Sequence, residues 1–118
     1  MSGNDSLGEL QRRLREFAAE RDWDRFHSPK NLSMALAVEA AELVEQFQWL
    51  TEEQSARLDP ERLANVRLEL ADVFLYLLRL ADKLDVDLLR AAADKMELNA
   101  AKYPAEKVRG DPRKYDEY

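Results

Sequence analysis

Four acidic residues stand in two pairs of equal spacing, Glu39 with Glu42 and Glu69 with Asp72. If each segment is helical, residues three apart are neighbours on one side, so each pair presents two carboxylates together. Burying uncompensated carboxylates costs on the order of several kcal/mol or forces them to take up protons. A bound divalent cation would offset this cost. Oxygen ligands without histidine or cysteine favour Mg²⁺, Mn²⁺ or Ca²⁺ over zinc or copper.

A plainer interpretation of the acidic pairs stays open, because such a pair is common on a solvated helix edge. The segments that carry these pairs are mainly apolar, however: 13 of the 19 residues in 32–50 and, counting Tyr76, 11 of the 14 in 68–81. Few cations lie there to pair with the acids, chiefly Arg67 and Arg79. Two pairs on the two most apolar segments favour a metal site, although the spacing does not say what the metal does.

The amino-acid composition predicts that helices position these residues. The chain has no isoleucine, one threonine and six valines, so few β-branched residues are available for strands. The hydrophobic periodicity and the turn residues predict four helices, over about 7–22, 32–50, 61–84 and 88–103. Asn31 or Ser33 could cap the second helix, and Asp87 is placed to cap the fourth, which should stop before Pro104.

The two central helices are apolar almost all round, and this pattern bears on the architecture. A helix of this kind is buried, yet a four-helix chain of 118 residues cannot easily bury two of them on all sides. We therefore predict an all-α four-helix bundle that is completed by oligomerisation. The length corresponds to a single domain over residues 1–118, with residues 1–6 and about 105–118 as flexible tails.

Several classes of protein are excluded by residues that the chain lacks. With no cysteine and the single histidine His27, disulfide scaffolds, thiolate metal sites and paired histidine sites are impossible within one chain. The only glycines are Gly3, Gly8 and Gly110, which excludes a phosphate-binding glycine loop. A net charge of −6 makes binding of a nucleic-acid polymer improbable. With no membrane-spanning run and no secretory signal, we expect a cytoplasmic protein.

The acidic pairs also resemble a known family. Glu39-Ala-Ala-Glu42 followed by Glu69-Leu-Ala-Asp72 is similar to the ExxE…ExxD signature of the all-α nucleoside triphosphate pyrophosphohydrolases, the MazG-like group. Segments around these pairs resemble the dCTP pyrophosphatase type, so that the resemblance covers about residues 8–115. The matching segments are 17–23, 26–32, 47–49, 95–99 and 103–104, with Arg109-Gly110 and Lys114-Tyr115 after them. Many MazG-like members have a further glutamate where this chain has Val38, and the dCTP type lacks it too.

The resemblance implies an activity and an assembly. Such enzymes cleave the bond between the α- and β-phosphates of a nucleoside triphosphate, giving a nucleoside monophosphate and pyrophosphate. Glu39, Glu42, Glu69 and Asp72 would hold Mg²⁺, with Mn²⁺ as an alternative. Glu45, one turn beyond Glu42, could orient or deprotonate the attacking water, or could be a solvated acid. The dCTP type assembles as a homo-tetramer, a dimer of dimers.

The resemblance also implies which residues bind the base. Trp23 and Trp49 would line the base pocket, whereas a tryptophan at a helix end more often fills a core. His27 and Asn31 lie in the loop between them and could contact the base edge or the sugar. A surface histidine and a helix cap are their alternative roles.

Further substrate contacts are predicted near the carboxyl end of the chain. Lys95, Asn99 and Tyr103 recur at four-residue steps, which places them along one side of the fourth helix. On a generic helix such a side is a solvent face, and it is the match to the family segments that assigns these residues to the substrate. Arg109 and Lys114 follow in a polar tail that could be disordered or could close over the phosphates.

The leading hypothesis is a Mg²⁺-dependent pyrophosphohydrolase that removes dCTP or modified dCTP from the nucleotide pool. The alternative is a non-catalytic helical oligomer, a scaffold or partner-binding protein whose acids are salt-bridged. A carboxylate-bridged di-iron oxidase is a poor third, because the ExxH elements are missing.

Overall fold

The computed structural model describes residues 3–112, and in these residues the only regular secondary structure is helical. The six α-helices of this part of the chain are α1 (Gly3–Glu20), α2 (Pro29–Glu45), α3 (Glu52–Ser55), α4 (Pro60–Lys83), α5 (Leu88–Lys102) and α6 (Ala105–Val108). A single turn of 3₁₀ helix, Asp24–Phe26, lies between α1 and α2. The predicted all-α class is confirmed, and the four long helices match the four predicted ones.

The start of α2 differs from the prediction. The helix begins at Pro29, and the hydroxyl oxygen of Ser28 accepts the backbone N–H of Asn31 at 3.1 Å. Proline suits the first position of a helix, because its missing N–H would have no partner there. Asn31 and Ser33 were therefore wrong as caps. The Asp87 cap of α5 is confirmed, since its carboxylate accepts the backbone N–H of Arg90 at 3.1 Å.

The end of α1 is a Schellman turn. The N–H of Trp23 donates to the carbonyl of Ala18 at 2.9 Å, and the N–H of Asp22 donates to the carbonyl of Ala19 at 3.1 Å. Asp22 sits between these bonds with a left-handed φ of 54°. The turn reverses the chain within two residues, so that Trp23 returns towards the helix it has just left.

Two further helix boundaries and two short helices also differ from the sequence prediction. α1 begins at Gly3, within the predicted amino-terminal tail, and α2 ends at Glu45 rather than at residue 50. The predicted connection 51–60 contains α3, which Thr51 and Gln54 begin with a reciprocal capping box. The predicted carboxyl-terminal tail contains the one-turn helix α6. The described residues form two compact units, up to Asp85 and from Val86, and the single domain with flexible tails stays a prediction.

The first unit is held together by α4, which packs against both α2 and α1. The buried apolar side chains of its described residues are few, namely Ala18, Leu32, Val66, Leu78 and Ala81. Large apolar side chains on the same helices are exposed, among them Met34 and Val38 on α2 and Leu68 on α4. These faces are those that the sequence predicts to need neighbours from another chain. No described helix is both long and apolar enough to cross a membrane.

Candidate functional site

The packing of α2 against α4 brings the two acidic pairs together. One carboxylate oxygen from each of Glu39, Glu69 and Asp72 lies within 4.8 Å of the other two. Glu42 is on the same side of α2 as Glu39, one turn away. We call Glu39, Glu42, Glu69 and Asp72 the acid cluster. The packing of the two helices thus joins the two acidic pairs into a single group of carboxylates that could hold a metal ion.

The electrostatics of the acid cluster show that its negative charges are not compensated. Burial raises the pKa of Glu39 to about 7, with further increases from a side-chain hydrogen bond with Glu42 and from the charges of Glu42, Asp72 and Glu69. Burial also raises the pKa of Glu69, and the charges of Glu42, Asp72 and Glu45 add to the effect. Glu45 therefore contributes to the same negative field from the next turn of α2.

Two buried oxygens of the cluster lack partners. In the described part of the chain, Glu39 Oε2 and Glu69 Oε2 are buried and accept no hydrogen bond. None of the ion pairs between described residues includes a carboxylate of the cluster. Orphaned acceptors of this kind are costly unless something outside the protein satisfies them. The donor set is made of carboxylate oxygens alone, so it fits a hard divalent cation such as Mg²⁺ or Mn²⁺.

A cleft of about 260 Å³ adjoins the cluster and shares Asp72 with it. Trp23 packs edge to face against Phe17 at one side, with ring centroids 5.7 Å apart. The remaining lining residues are Leu14, Ala18, His27, Leu75, Tyr76 and Arg79. An aromatic, mainly apolar cleft with a few polar groups is typical of a site for a flat heterocyclic ligand.

His27 lies in the loop before α2, whereas Asn31 lies in the first turn of α2 rather than in the predicted loop. His27 is half-buried on the cleft, where its Nδ1 accepts a hydrogen bond from Arg79 Nε at 3.2 Å. The Asn31 amide donates to the carbonyl of Phe26 at 3.0 Å, which ties it to its own turn. A contact of either residue with substrate stays a prediction.

The two tryptophans do not share one pocket in this structure. Trp23 lines the cleft, whereas Trp49 is 87% exposed and lies in the turn after α2, outside the cleft lining. The hypothesis that both rings line the base pocket therefore stays a prediction.

The second unit carries the other predicted substrate residues. Lys95 and Asn99 are exposed one turn apart on α5, and Tyr103 ends that helix with its N–H donating to the carbonyl of Asn99 at 2.8 Å. Arg109 is exposed directly after α6. Lys114 lies outside the described residues. Their roles towards a nucleotide stay predictions.

Tyr76 and Arg79 were not predicted as parts of the cleft. They follow Asp72 by four and seven residues on α4, so helical spacing from a predicted ligand could have found them. In the sequence Arg79 is only one of the few cations near the acidic pairs, and in the described part of the chain it forms no ion pair with them. Its guanidinium pairs instead with Asp24 and Asp82.

Comparisons with known proteins agree with one another. A family model described as MazG-like matches residues 34–117, a range that includes the acid cluster. dCTP pyrophosphatase 1 of Homo sapiens is 43% identical over 118 residues, which covers 98% of this chain and 69% of the human protein. The protein of the same name from Rattus norvegicus is 42% identical over 116 residues, with 97% and 68% covered. A crystal structure of a pyrophosphatase from Archaeoglobus fulgidus has a TM-score of 0.80 and 40% identity, covering 84% of this chain and 93% of the archaeal one.

Proposed function

The chain belongs to the MazG-like family, and we propose that it is a Mg²⁺-dependent enzyme that splits nucleoside triphosphates between the α- and β-phosphates. It is a nucleotide diphosphatase, and the products would be a nucleoside monophosphate and pyrophosphate. The acid cluster carries the proposal, because its buried oxygens are unsatisfied by the described residues and it adjoins an aromatic cleft. A scaffold whose acids are salt-bridged would not need such an arrangement.

The residues that would hold Mg²⁺ are Glu39, Glu42, Glu69 and Asp72. When bound, the ion supplies positive charge that offsets the charge of the phosphates and lowers the pKa of water. Glu45 is exposed one turn beyond Glu42 and would orient or deprotonate the attacking water. A triphosphate carries about four negative charges, so without a cation this acidic surface would repel it.

The cleft supports a nucleotide substrate through its lining. The rings of Trp23, Phe17 and Tyr76 offer apolar surface to a base, and base stacking on an aromatic ring contributes about 1–3 kcal/mol. Because Asp72 belongs both to the cleft and to the acid cluster, a base bound in the cleft directs its phosphates towards the carboxylates. We propose dCTP or a modified dCTP as the substrate, a choice that rests on the names of the similar proteins.

Other parts of the proposal rest on the sequence. We propose that the phosphates are contacted by residues near the carboxyl end of the chain, namely Lys95, Asn99, Tyr103, Arg109 and Lys114. We also propose a cytoplasmic location and a role in removing unwanted nucleotides from the pool. Neither a nucleic-acid polymer nor a membrane is proposed as a partner. A homo-tetramer, a dimer of dimers, is supported by the exposed apolar side chains of α2 and α4. A well-folded monomer at micromolar concentration in sedimentation would contradict this assembly.

A nucleotide panel tests the activity directly. Deoxynucleoside and ribonucleoside triphosphates, with 5-substituted dCTP among them, are incubated with Mg²⁺, with Mn²⁺ or with a chelator, and pyrophosphate is measured separately from phosphate. We expect pyrophosphate release that depends on the cation and is fastest with cytosine nucleotides. Glu42→Gln should lose it, while the matched control Glu61→Gln, at an exposed acid in the first turn of α4, should keep it. Full activity with chelator, or release of phosphate alone, would refute the proposal.

Trp23 provides a second test of the cleft. Its ring is 46% exposed, so a base stacked on it should quench its fluorescence. The measurement is made on a Trp49→Phe background, where Trp23 is the remaining tryptophan. Absence of quenching by a nucleotide that the enzyme hydrolyses would place the base outside the cleft.

A further inference from the structure

Among the described residues of the first unit, Arg79 is the buried charged residue, and each nitrogen of its guanidinium donates a hydrogen bond. The residue is 6% exposed and lies two turns beyond Asp72 on α4. It donates to Asp24, to Asp82 at 3.4 Å and, through Nε, to His27 at 3.2 Å. Each edge of the guanidinium thus has an acceptor, as a buried arginine requires.

The acceptors of Arg79 are held in turn by other cations. Lys83 Nζ donates to Asp24 at 2.7 Å, and Arg15 Nε lies 2.9 Å from Asp82. We call Arg79, Asp24, Asp82, Lys83 and His27 the arginine network. Each of its two carboxylates contacts Arg79 and one further cation. The two carboxylates therefore hold the guanidinium of Arg79 through its two terminal nitrogens.

The bond to His27 determines where the imidazole proton lies. An arginine side chain is always protonated and can only donate, so His27 Nδ1 must offer a lone pair. A neutral ring then carries its proton on Nε2, and a doubly protonated ring would direct an N–H against the N–H of Arg79. Burial and the positive charges of Arg79 and Lys83 lower the pKa of His27, while Asp24 opposes them. The neutral form is therefore favoured.

In this tautomer, the Nε2–H group of His27 can only donate a hydrogen bond, and it is available to a ligand in the cleft. In the described part of the chain, Nε2 takes part in no hydrogen bond, while the ring lines the cleft beside Trp23 and Tyr76. Without Arg79, a histidine at this place would exchange between two tautomers and would offer either a donor or an acceptor. A base presents both kinds of group on its edge, so this choice affects which base is preferred.

We propose that Arg79 is a positioning residue that holds His27 as its neutral Nε2–H tautomer, so that the cleft presents a hydrogen-bond donor to an acceptor group on the edge of the nucleobase. The recognition step rests on the proposed function, since it assumes that the cleft binds a base. The tautomer itself does not depend on that assumption.

The first test is made on the wild-type protein and needs no activity. His27 is the one histidine of the sequence, so nitrogen NMR of the labelled protein shows one imidazole without assignment. We expect an unprotonated Nδ1 and a protonated Nε2 at neutral pH. An Nδ1–H tautomer or a doubly protonated ring would overturn the inference. Absence of pyrophosphate release would overturn the proposed function alone, so the two failures are distinguishable.

The second test compares Arg79→Met with Lys83→Met. Both variants remove a cation that pairs with Asp24, but only Arg79 contacts the ring. Arg79→Met should give a mixture of tautomers and raise KM for the preferred nucleotide about tenfold, with kcat changed less than about twofold. Lys83→Met should leave Nδ1 unprotonated, because Arg79 remains in contact with the ring, and should change KM less than about twofold. An unchanged tautomer in a folded Arg79→Met protein would refute the positioning role.

A double-mutant cycle separates positioning from a general structural effect. In His27→Gln the amide nitrogen stands near the position of Nε2 and donates without any choice of tautomer. We therefore expect Arg79→Met to raise KM much less in the His27→Gln background than in the wild type. The same tenfold increase in both backgrounds would mean that Arg79 acts on the cleft as a whole, and would overturn the inference.

Discussion

Asp72 of the acid cluster and Arg79 of the arginine network lie two turns apart on α4. The two groups differ in whether their charges are compensated by charges of opposite sign within the chain. In the acid cluster like charges face one another, and no ion pair between described residues reaches them. In the arginine network each carboxylate contacts two cations. Helix α4 therefore contributes to one group of charges that is compensated by described residues of the chain and to one that is not.

The carboxyl groups of the two regions report this difference through their pKa values. A hydrogen bond from Lys83 and the charge of Arg79 lower the pKa of Asp24, even though burial opposes them. Burial and neighbouring acids raise the pKa of Glu39 to about 7. Compensated charge contributes to the fold and to the position of other groups, whereas uncompensated charge requires a cation from solution. Four predictions test this distinction.

The largest effect is expected on catalysis, from Glu69→Gln. The variant removes the charge of one proposed Mg²⁺ ligand, so pyrophosphate release at saturating Mg²⁺ should fall about a thousand-fold, equivalent to about 4 kcal/mol of activation free energy. Without metal the variant should be as stable as the wild type or more so, because a like charge has been removed. Turnover and chemical unfolding are measured on both proteins, with Glu61→Gln as control. Near-normal turnover would remove Glu69 from the ligands.

The next effect is on stability, from the arginine network. Arg79→Met removes the three hydrogen bonds of a buried guanidinium and leaves Asp82 with Arg15 as its remaining cation, so the free energy of unfolding should fall by about 3 kcal/mol. Lys83→Met breaks a pair whose aspartate side chain is 58% exposed, so the loss should stay below about 1 kcal/mol. Urea unfolding in the presence of a chelator measures both. Equal losses would contradict the distinction between the two cations.

Metal binding should stabilise the acid cluster and leave the arginine network unaffected. A ligand that binds only the folded state adds about 2.7 kcal/mol at a concentration 100 times its Kd, so Mg²⁺ should raise the melting temperature of the wild type. The increase should shrink in Glu69→Gln and persist in Lys83→Met. Thermal unfolding across a Mg²⁺ titration gives the comparison, and an equal response of all three proteins would place the cation elsewhere.

The fourth expected effect is a pH dependence of stability without divalent cations. Folding raises the pKa of Glu39 from 4.5 to about 7, so between these values the folded state keeps a proton that the unfolded state has lost. The contribution of this group to the free energy of unfolding therefore decreases as pH rises through that range, and it levels off above it. Glu39→Gln should reduce this dependence in urea unfolding from pH 5 to 8. An unchanged slope would show that Glu39 is not the group responsible.

The sequence predicts the acid cluster better than it predicts the arginine network, and the reason is physical. Glu39 with Glu42 and Glu69 with Asp72 are local pairs, so knowledge of the helix period suffices to place each on one side. The bond between Arg79 and His27 joins residues 52 positions apart, and no local pattern contains it. Such a contact depends on how the loop before α2 packs against α4, which periodicity does not describe.

Some helix ends could likewise be predicted from the local sequence, and others could not. Asp87 is an acidic residue just before an apolar periodic segment, and it was identified as a cap from that pattern alone. Ser28 precedes Pro29, which restricts it to extended backbone, and extended backbone is what an N-cap adopts, with φ −67° and ψ 153° here. The early end of α2 at Glu45 had no breaking residue to mark it.

The left-handed backbone of Asp22 in the Schellman turn limits which residues can occupy this position. Two backbone hydrogen bonds define the turn, and Asp22 contributes a left-handed φ of 54° rather than an essential side-chain contact, since its pair with Arg25 is largely exposed. Glycine or asparagine can adopt this φ, whereas valine or isoleucine cannot do so without strain. Glycine or asparagine at this position should therefore keep the turn, whereas a residue branched at Cβ should strain it. A β-branched residue there would displace Trp23 of the cleft and Asp24 of the arginine network together.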